Sequence, residues 1–221
     1  MGDRLAKTAL YDRLADAAKA LGSGRRVELV DVLAQGERSV EELAGEIVQS
    51  VANTSQHLQV LARAGLVDSR REGNRILYRL AGEQVEDLWT AMRAVATRHV
   101  DGVERLAAAY LGDRDGLEQL TRAELTSRLH LDEVEVWDIR PQAEFVAGHV
   151  PGAISVPPDQ VERRIGQSSS AAEVVAYCRG PFCVYADDAV RELRRMGRRA
   201  SRLEDGFPEW RRAGLPVEVG A

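Results

Sequence analysis

The stretch that most constrains the fold is Val174-Val175-Ala176-Tyr177, with the loop and helix that come after it. Four consecutive apolar residues read as a buried strand. Next comes Cys178-Arg179-Gly180-Pro181-Phe182-Cys183, a short loop with a Gly-Pro turn. Val184 to Arg195 then places Ala186, Ala189, Val190 and Leu193 on one helical face. A cysteine therefore sits where a strand ends and a loop leads into a helix. That arrangement points successive backbone N–H groups, and the positive end of the helix, at the sulfur. Arg179 adds a cation. Both effects favour the thiolate, which is the nucleophile, and the same donors suit a persulfide anion. The alternative is a cysteine packed as a small apolar side chain; the turn, the arginine and the helix argue for chemistry instead.

At 221 residues the chain has room for two domains. No apolar run reaches the length of a membrane span, and residues 1–7 lack the apolar core of a signal peptide. Two closely spaced cysteines do not make a secreted disulfide framework. A reducing cytoplasm is the expected compartment. The net charge of −5 argues against indiscriminate binding of nucleic acid. Between residues 52 and 80, however, five arginines (Arg63, Arg70, Arg71, Arg75, Arg79) face only Asp68 and Glu72.

In the N-terminal half, Leu10, Leu14, Ala17 and Leu21 share one helical face, and Gly22-Ser23-Gly24 ends that helix. Arg25 to Ala34 is a second helix, with Val27, Val30, Leu33 and Ala34 inward. Ser39 with Glu42 forms a capping box that opens a third. Ser50 caps a fourth, with Val51, Leu58, Leu61 and Ala62 expected inward and Gly65 at its stop. Residues 67–71 and 76–80 alternate as two strands about Glu72-Gly73-Asn74-Arg75, with Ile76, Tyr78 and Leu80 facing in. Two short helices before a basic hairpin read as a winged helix-turn-helix. Its second helix would present Asn53, Ser55, Gln56 and Gln59 to base edges, and Arg70, Arg71 and Arg75 of the wing suit phosphates or the minor groove. A protein-contact module with solvated arginines is the other reading of the same pattern.

Glu83 to Tyr110 reads as one long helix. Val85, Leu88, Met92, Val95, His99, Val103, Leu106 and Tyr110 recur at three or four residues, as in a dimer seam or one side of a monomeric core. Leu111 to Gly116 is polar and glycine-bearing, and marks the join between domains 1–112 and 117–221. Thr121 with Glu124 is another capping box. Strands at 134–139, 174–177 and 200–203, alternating with helices, argue for a parallel sheet whose ligands bind at the strands' carboxyl ends. Cys178 lies at one such end, Asp138 and Arg140 at another, and His149 in a turn nearby.

Two resemblances sharpen these readings. From about Leu117 to Val219 the chain resembles the rhodanese (sulfurtransferase) family. It does so through the Cys178 loop, Val136-Trp137-Asp138-Ile139-Arg140-Pro141, Glu144-Phe145, Gly148-His149-Val150-Pro151-Gly152-Ala153, Leu203-Glu204-Asp205-Gly206-Phe207-Pro208-Glu209-Trp210 and Gly214-Leu215-Pro216-Val217. The resemblance implies sulfur carried as a persulfide on Cys178, with Arg179, Gly180, Pro181, Phe182 and Cys183 around the sulfur or its donor. It makes Asp138, Arg140 and His149 pins for the surrounding loops. The loop departs from the family in having Gly180 second and Pro181 third after the cysteine, and Cys183 last. That weakens the case for ordinary thiosulfate turnover and raises a two-cysteine switch. Related oxyanion-binding loops need an arginine six after the cysteine; Val184 stands there.

From about residue 5 to 110 the chain resembles the ArsR-type regulators, through Ser55-Gln56-His57-Leu58-Gln59-Val60-Leu61 and the wing residues Arg71-Glu72-Gly73-Asn74-Arg75. This implies a homodimer on a two-fold operator in double-stranded DNA, with His57 in a structural or DNA-proximal role. Val48 replaces a common glycine between the two helices. No metal site is expected, since Val40 and Glu41 stand where a sensing cysteine pair would, and His99 is alone on its helix. No cofactor is expected either. The fold class is thus a mostly α winged helix-turn-helix followed by an α/β rhodanese-like domain with a parallel sheet.

Three functions fit. The first is a repressor whose Cys178 senses reactive sulfur as persulfide or polysulfide, the donor being a persulfide, a polysulfide or thiosulfate. The second is a sulfurtransferase whose N-terminal half serves dimerisation. The third is a regulator with an inert C-terminal scaffold.

Overall fold

The computed structural model describes residues 3–131, 133–167 and 172–220. The chain divides into two compact units, Met1–Val100 and Asp101–Ala221. Among the described residues no helix is long and apolar enough to cross a membrane.

The first unit runs α1 (Arg4–Leu21), α2 (Gly24–Leu33), β1 (Arg38–Ser39), α3 (Val40–Glu46), α4 (Val51–Arg63), β2 (Val67–Glu72), β3 (Arg75–Leu80) and α5 (Glu83–His99). Its sheet has the order β1-β3-β2, all antiparallel. Leu29, Leu43, Ile47, Leu58 and Leu61 form the centre of its core. Local chemistry sets the boundaries. Ser39 and Glu42 form the expected reciprocal capping box on α3, and the Ser50 side chain accepts from the Asn53 N–H to cap α4.

Between α3 and α4 the chain turns through Val48, whose φ is +50°. The Gln49 N–H donates to the Ala44 carbonyl and the Val48 N–H to that of Gly45. That is a complete Schellman motif with a β-branched residue in the left-handed position that glycine usually fills. The turn is as tight as a glycine would make it.

Four sequence expectations fail in this unit. Val51 is 45 % and Ile76 45 % exposed. Ala62 is exposed as well. On α4 the inward row is Thr54, Leu58 and Leu61, so the helix is rotated relative to the expected face. The fourth concerns the long helix. Residues 83–110 form two helices, α5 and α6 (Val103–Leu111), because Val100 is extended and Gly102 is left-handed at φ +84°. Asp101-Gly102 is a turn signal that apolar spacing on both sides concealed.

The second unit starts with α6 and continues β4 (Gln119–Leu120), α7 (Arg122–His130), β5 (Val134–Asp138), α8 (Gln142–Ala147), β6 (Ile154–Ser155), α9 (Val161–Gln167), β7 (Glu173–Tyr177), α10 (Tyr185–Arg195), β8 (Ala200–Leu203) and α11 (Phe207–Arg212). The sheet order is β4-β8-β7-β5-β6, and every pairing is parallel. Thr121 and Glu124 cap α7 as their spacing requires. Strand β7 is buried on both faces. Val174 and Ala176 pack with α10, while Val175 and Tyr177 pack with Phe145, Phe207 and Trp210. Cys178 continues the first of these rows beyond the strand's carboxyl end and is 2 % exposed.

Candidate functional site

On the first unit, α4 turns Asn53, Gln56 and Gln59 to solvent, with Ser55 and His57 half-buried. Three exposed amides at this spacing carry both donors and acceptors, which is what base-edge readout needs. The wing is less uniform than its arginine count suggests. Arg71 and Arg75 are exposed. Arg70 is held by two carboxylates, with Nε and Nη2 on Glu37 at 2.8 and 2.5 Å and Nη1 on Glu72 at 2.8 Å. These hydrogen bonds raise its pKa above the ordinary arginine range. Its charge is largely neutralised within the unit, unlike a free phosphate contact.

On the second unit the loop 178–183 lies at the carboxyl end of the central strand β7. The Cys183 N–H donates to the Gly180 carbonyl at 3.1 Å, which folds the loop back on itself. This brings the Cα atoms of Cys178 and Cys183 to 6.3 Å, and the two sulfurs are joined in a disulfide. The separation lies within the range that a bridge requires.

Three neighbours fix the loop from outside. The Phe207 N–H donates to the Cys178 carbonyl at 3.0 Å. Gly206 lies so close that a Cβ there would overlap the Gly180 nitrogen and the Arg179 carbonyl carbon. Arg114 donates to the carbonyls of Pro181 and Cys183 at 2.9 and 3.2 Å and to the buried Asp187 at 2.6 Å.

Arg179 does not stand as a free cation beside the sulfur. Its guanidinium grips Glu144, with Nε at 2.9 Å and Nη2 at 2.5 Å from Oε1, and the Glu144 side chain is fully buried. The supporting residues are also engaged. Asp138 accepts from the backbone N–H, Nε and Nη2 of Arg140 and from the Tyr177 hydroxyl, and Arg140 Nη2 also donates to the Gly148 carbonyl. Burial lowers the Arg140 pKa most strongly, but the Asp138 charge and its hydrogen bond, with smaller contributions from Tyr177 and Glu144, together outweigh it and the net shift is upward. Burial, then Asp138, pushes the Tyr177 hydroxyl well above its usual range, so it stays a donor. His149 stacks on Phe145 at 3.7 Å, with Nδ1 2.9 Å from the Phe145 carbonyl, and its backbone pairs with Glu218. These contacts tie Asp138, Arg140 and His149 to the loops around them, and His149 Nε2 lies 3.6 Å from Glu218 Oε2.

Residues 121–213 match the family described as rhodanese-like domain, and residues 23–69 the family described as bacterial regulatory protein, arsR family. An HTH-type transcriptional regulator of Mycobacterium tuberculosis is 46 % identical over 97 % of this chain and 94 % of its own length. The chain is an ArsR-family regulator with a C-terminal rhodanese-like domain. The regulator's second half is also 29 % identical to a sulfurtransferase of Allochromatium vinosum, over 46 % of this chain and 94 % of that protein. Its first half is 44 % identical to the homodimeric winged helix-turn-helix domain of a Mycobacterium bovis protein, with a TM-score of 0.42, covering 46 % of this chain and 92 % of that one.

Sequence reasoning about the regulator gave no role to Arg114 or Tyr177, and it met Glu144 and Gly206 only as part of the rhodanese resemblance, without a contact to the cysteine loop. Arg114 lies in a polar connector with no periodicity to reveal a contact. Glu144 and Tyr177 carry a faint signal: each is a polar group on an otherwise buried row.

Proposed function

We propose that the regulator binds a two-fold operator as a homodimer and changes its affinity when reactive sulfur converts the Cys178–Cys183 dithiol into a bridge. The observation that carries this reading is the 6.3 Å Cα separation of the two cysteines in one loop at the end of β7. The Cys178 thiolate attacks the outer sulfur of a persulfide, RSSH, taking the sulfane sulfur and releasing RSH. The Cys183 thiolate then attacks the Cys178 sulfur and expels sulfide. In sum two thiols and RSSH give the disulfide, RSH and H₂S. The sulfane sulfur is reduced and the two cysteines are oxidised.

Persulfides suit the loop better than thiosulfate does. Thiosulfate is a dianion, and the arginine that would meet it is already matched by a buried carboxylate. On the first unit, Asn53, Gln56 and Gln59 would read bases, with Ser55 and His57 beside them and Arg71 and Arg75 on phosphates. Leu10, Tyr11 and Leu14 of α1 and Leu88 and Val95 of α5 are 41–64 % exposed, an apolar surface that a second copy would cover.

The test is a mass spectrum of the 178–183 peptide before and after polysulfide, with operator affinity measured in the same samples. Loss of two hydrogens or gain of sulfur, in step with a change in affinity, is expected. In Cys183→Ser the persulfide should persist on Cys178 and the affinity change should be lost. Sulfur chemistry with no change in DNA binding refutes the switch. Thiosulfate turnover of roughly 1 per second or more, without operator binding, would decide for a sulfurtransferase.

A further inference from the structure

Arg114 lies in the connector between α6 and β4, a stretch whose composition suggests only a linker. Its guanidinium spans three acceptors: Asp187 Oδ2 at 2.6 Å, the Pro181 carbonyl at 2.9 Å and the Cys183 carbonyl at 3.2 Å. The Asp187 side chain is fully buried and also faces Arg202 Nε at 3.1 Å. The connector is tied down in turn by α10. Arg191 donates to the Asp113 carbonyl at 2.6 Å, and Arg194 donates to that of Gly116. The same few residues thus contact the cysteine loop on one side and form the covalent path toward the DNA-binding unit on the other.

We propose that Arg114 is a positioning residue that reports the state of the Cys178–Cys183 pair to this connector. The inference rests on the sulfur-switch reading above. Three covalent bonds separate the Cys183 sulfur from its carbonyl carbon. When the bridge opens, Cys183 loses its tether to Cys178, and its carbonyl is the acceptor already at the long end of the Arg114 fork. A displacement of about half an ångström takes that bond past the hydrogen-bonding limit of about 3.5 Å. The guanidinium is planar and rigid, so it cannot follow one acceptor without leaving another. Either it turns about Asp187 or the connector moves with it.

The test compares operator affinity for fully reduced and fully bridged full-length protein, both states verified by mass, in wild type, Arg114→Lys and Arg114→Gln. Lysine keeps a charge for Asp187 but cannot span three acceptors, so Arg114→Lys should fold with near wild-type Tm. The wild-type affinity ratio between the two states is expected to be on the order of fivefold or more. In both variants it should collapse toward one. A wild-type ratio of one overturns the switch and this inference together. A full ratio in wild type and in Arg114→Lys overturns this inference alone. Hydrogen exchange of the 112–117 peptide in the wild type gives a reading that needs no variant. Faster exchange in the reduced state than in the bridged state is expected, and identical exchange refutes the coupling.

Discussion

Replacing Asp138 with Asn tests whether the buried charge cluster, and not merely its shape, holds the site loops. Asp138 and Arg140 are both fully buried. The carboxylate accepts from Arg140 N and Nε at 2.9 Å, from Arg140 Nη2 at 2.6 Å and from the Tyr177 hydroxyl at 2.6 Å. Asparagine keeps the outline but removes the charge, and it turns an amide NH₂ toward groups that are themselves donors. Arg140 then remains as a buried cation whose other supports are the Gly148 carbonyl at 2.6 Å and the Phe207 ring at 4.2 Å. Breaking one side of a buried pair costs about 3–5 kcal/mol, a large share of the roughly 5–15 kcal/mol that holds a domain together. At about 4 °C or more per kcal/mol for a domain near this size, the melting transition of the second unit should fall by at least about 12 °C. Calorimetry of the full chain reads this directly, with the first unit's transition as an internal reference. The double variant Asp138→Leu, Arg140→Met leaves no unpaired charge and should be less destabilised than Asp138→Asn alone. A loss below about 1 kcal/mol in Asp138→Asn, or a double variant worse than the single, would sink the electrostatic account.

Val48→Gly should stabilise the first unit by about 0.5–1 kcal/mol, since it relieves a left-handed β-branched residue and gives back part of that gain in chain entropy; a melting curve that is unchanged or lowered contradicts this. Gly206→Ala should slow polysulfide loading of Cys178, because the added methyl meets the backbone of Arg179 and Gly180, which has no flexible end to move aside; peptide mass against time is the readout. Glu42 has a pKa below the ordinary range because it accepts from the Ser39 N–H. A depressed carboxylate stabilises above its unfolded pKa and loses that contribution as pH falls through the folded value. The first unit should therefore weaken as pH drops from about 4.5 downward, and Glu42→Gln should flatten that slope. Glu144→Gln should leave the Arg179 charge less fully matched and raise the rate of loading from thiosulfate several-fold relative to loading from polysulfide; an unchanged ratio argues against the charge-matching account of donor choice.

Legibility in the chain depended on how local the cause was. The capping boxes Ser39/Glu42 and Thr121/Glu124 act within one turn, and both form as their spacing requires. The parallel sheet was legible because Val174 to Tyr177 is apolar on both faces, which only a covered strand tolerates. The helix break at residues 100–102 was hidden because apolar positions recur at helical spacing on both sides of it, and a single Asp-Gly competes weakly with periodicity over so long a stretch. The rotation of α4 was hidden because Thr54 is polar in name yet fully buried, while Val51 and Ala62 are apolar and exposed. The least legible features were the ion pairs around the site. Arg70 meets Glu37 across 33 residues, Arg179 meets Glu144 across 35, and Arg114 meets Asp187 across 73. No local pattern announces such partners, and an arginine free for solvent looks the same in sequence as one already engaged.

Those pairs alter the electrostatics expected of the cysteine loop. By sequence order alone, Arg179 lowers the thiol pKa directly. In the folded chain Arg179 and Arg114 are each matched by a fully buried carboxylate from outside the loop, Glu144 and Asp187. A matched cation attracts an approaching dianion far less than a bare one. The arrangement therefore favours sulfur chemistry that stays within the two cysteines over chemistry that recruits a highly charged donor. It also makes bridging a local change in charge. The attacking thiolate is consumed and one neutral disulfide takes its place, beside guanidinium–carboxylate pairs whose balance was set without it. Arg114 is the member of those pairs that lies on the connector, so it is the point at which a change at sulfur first becomes a change in the path of the chain.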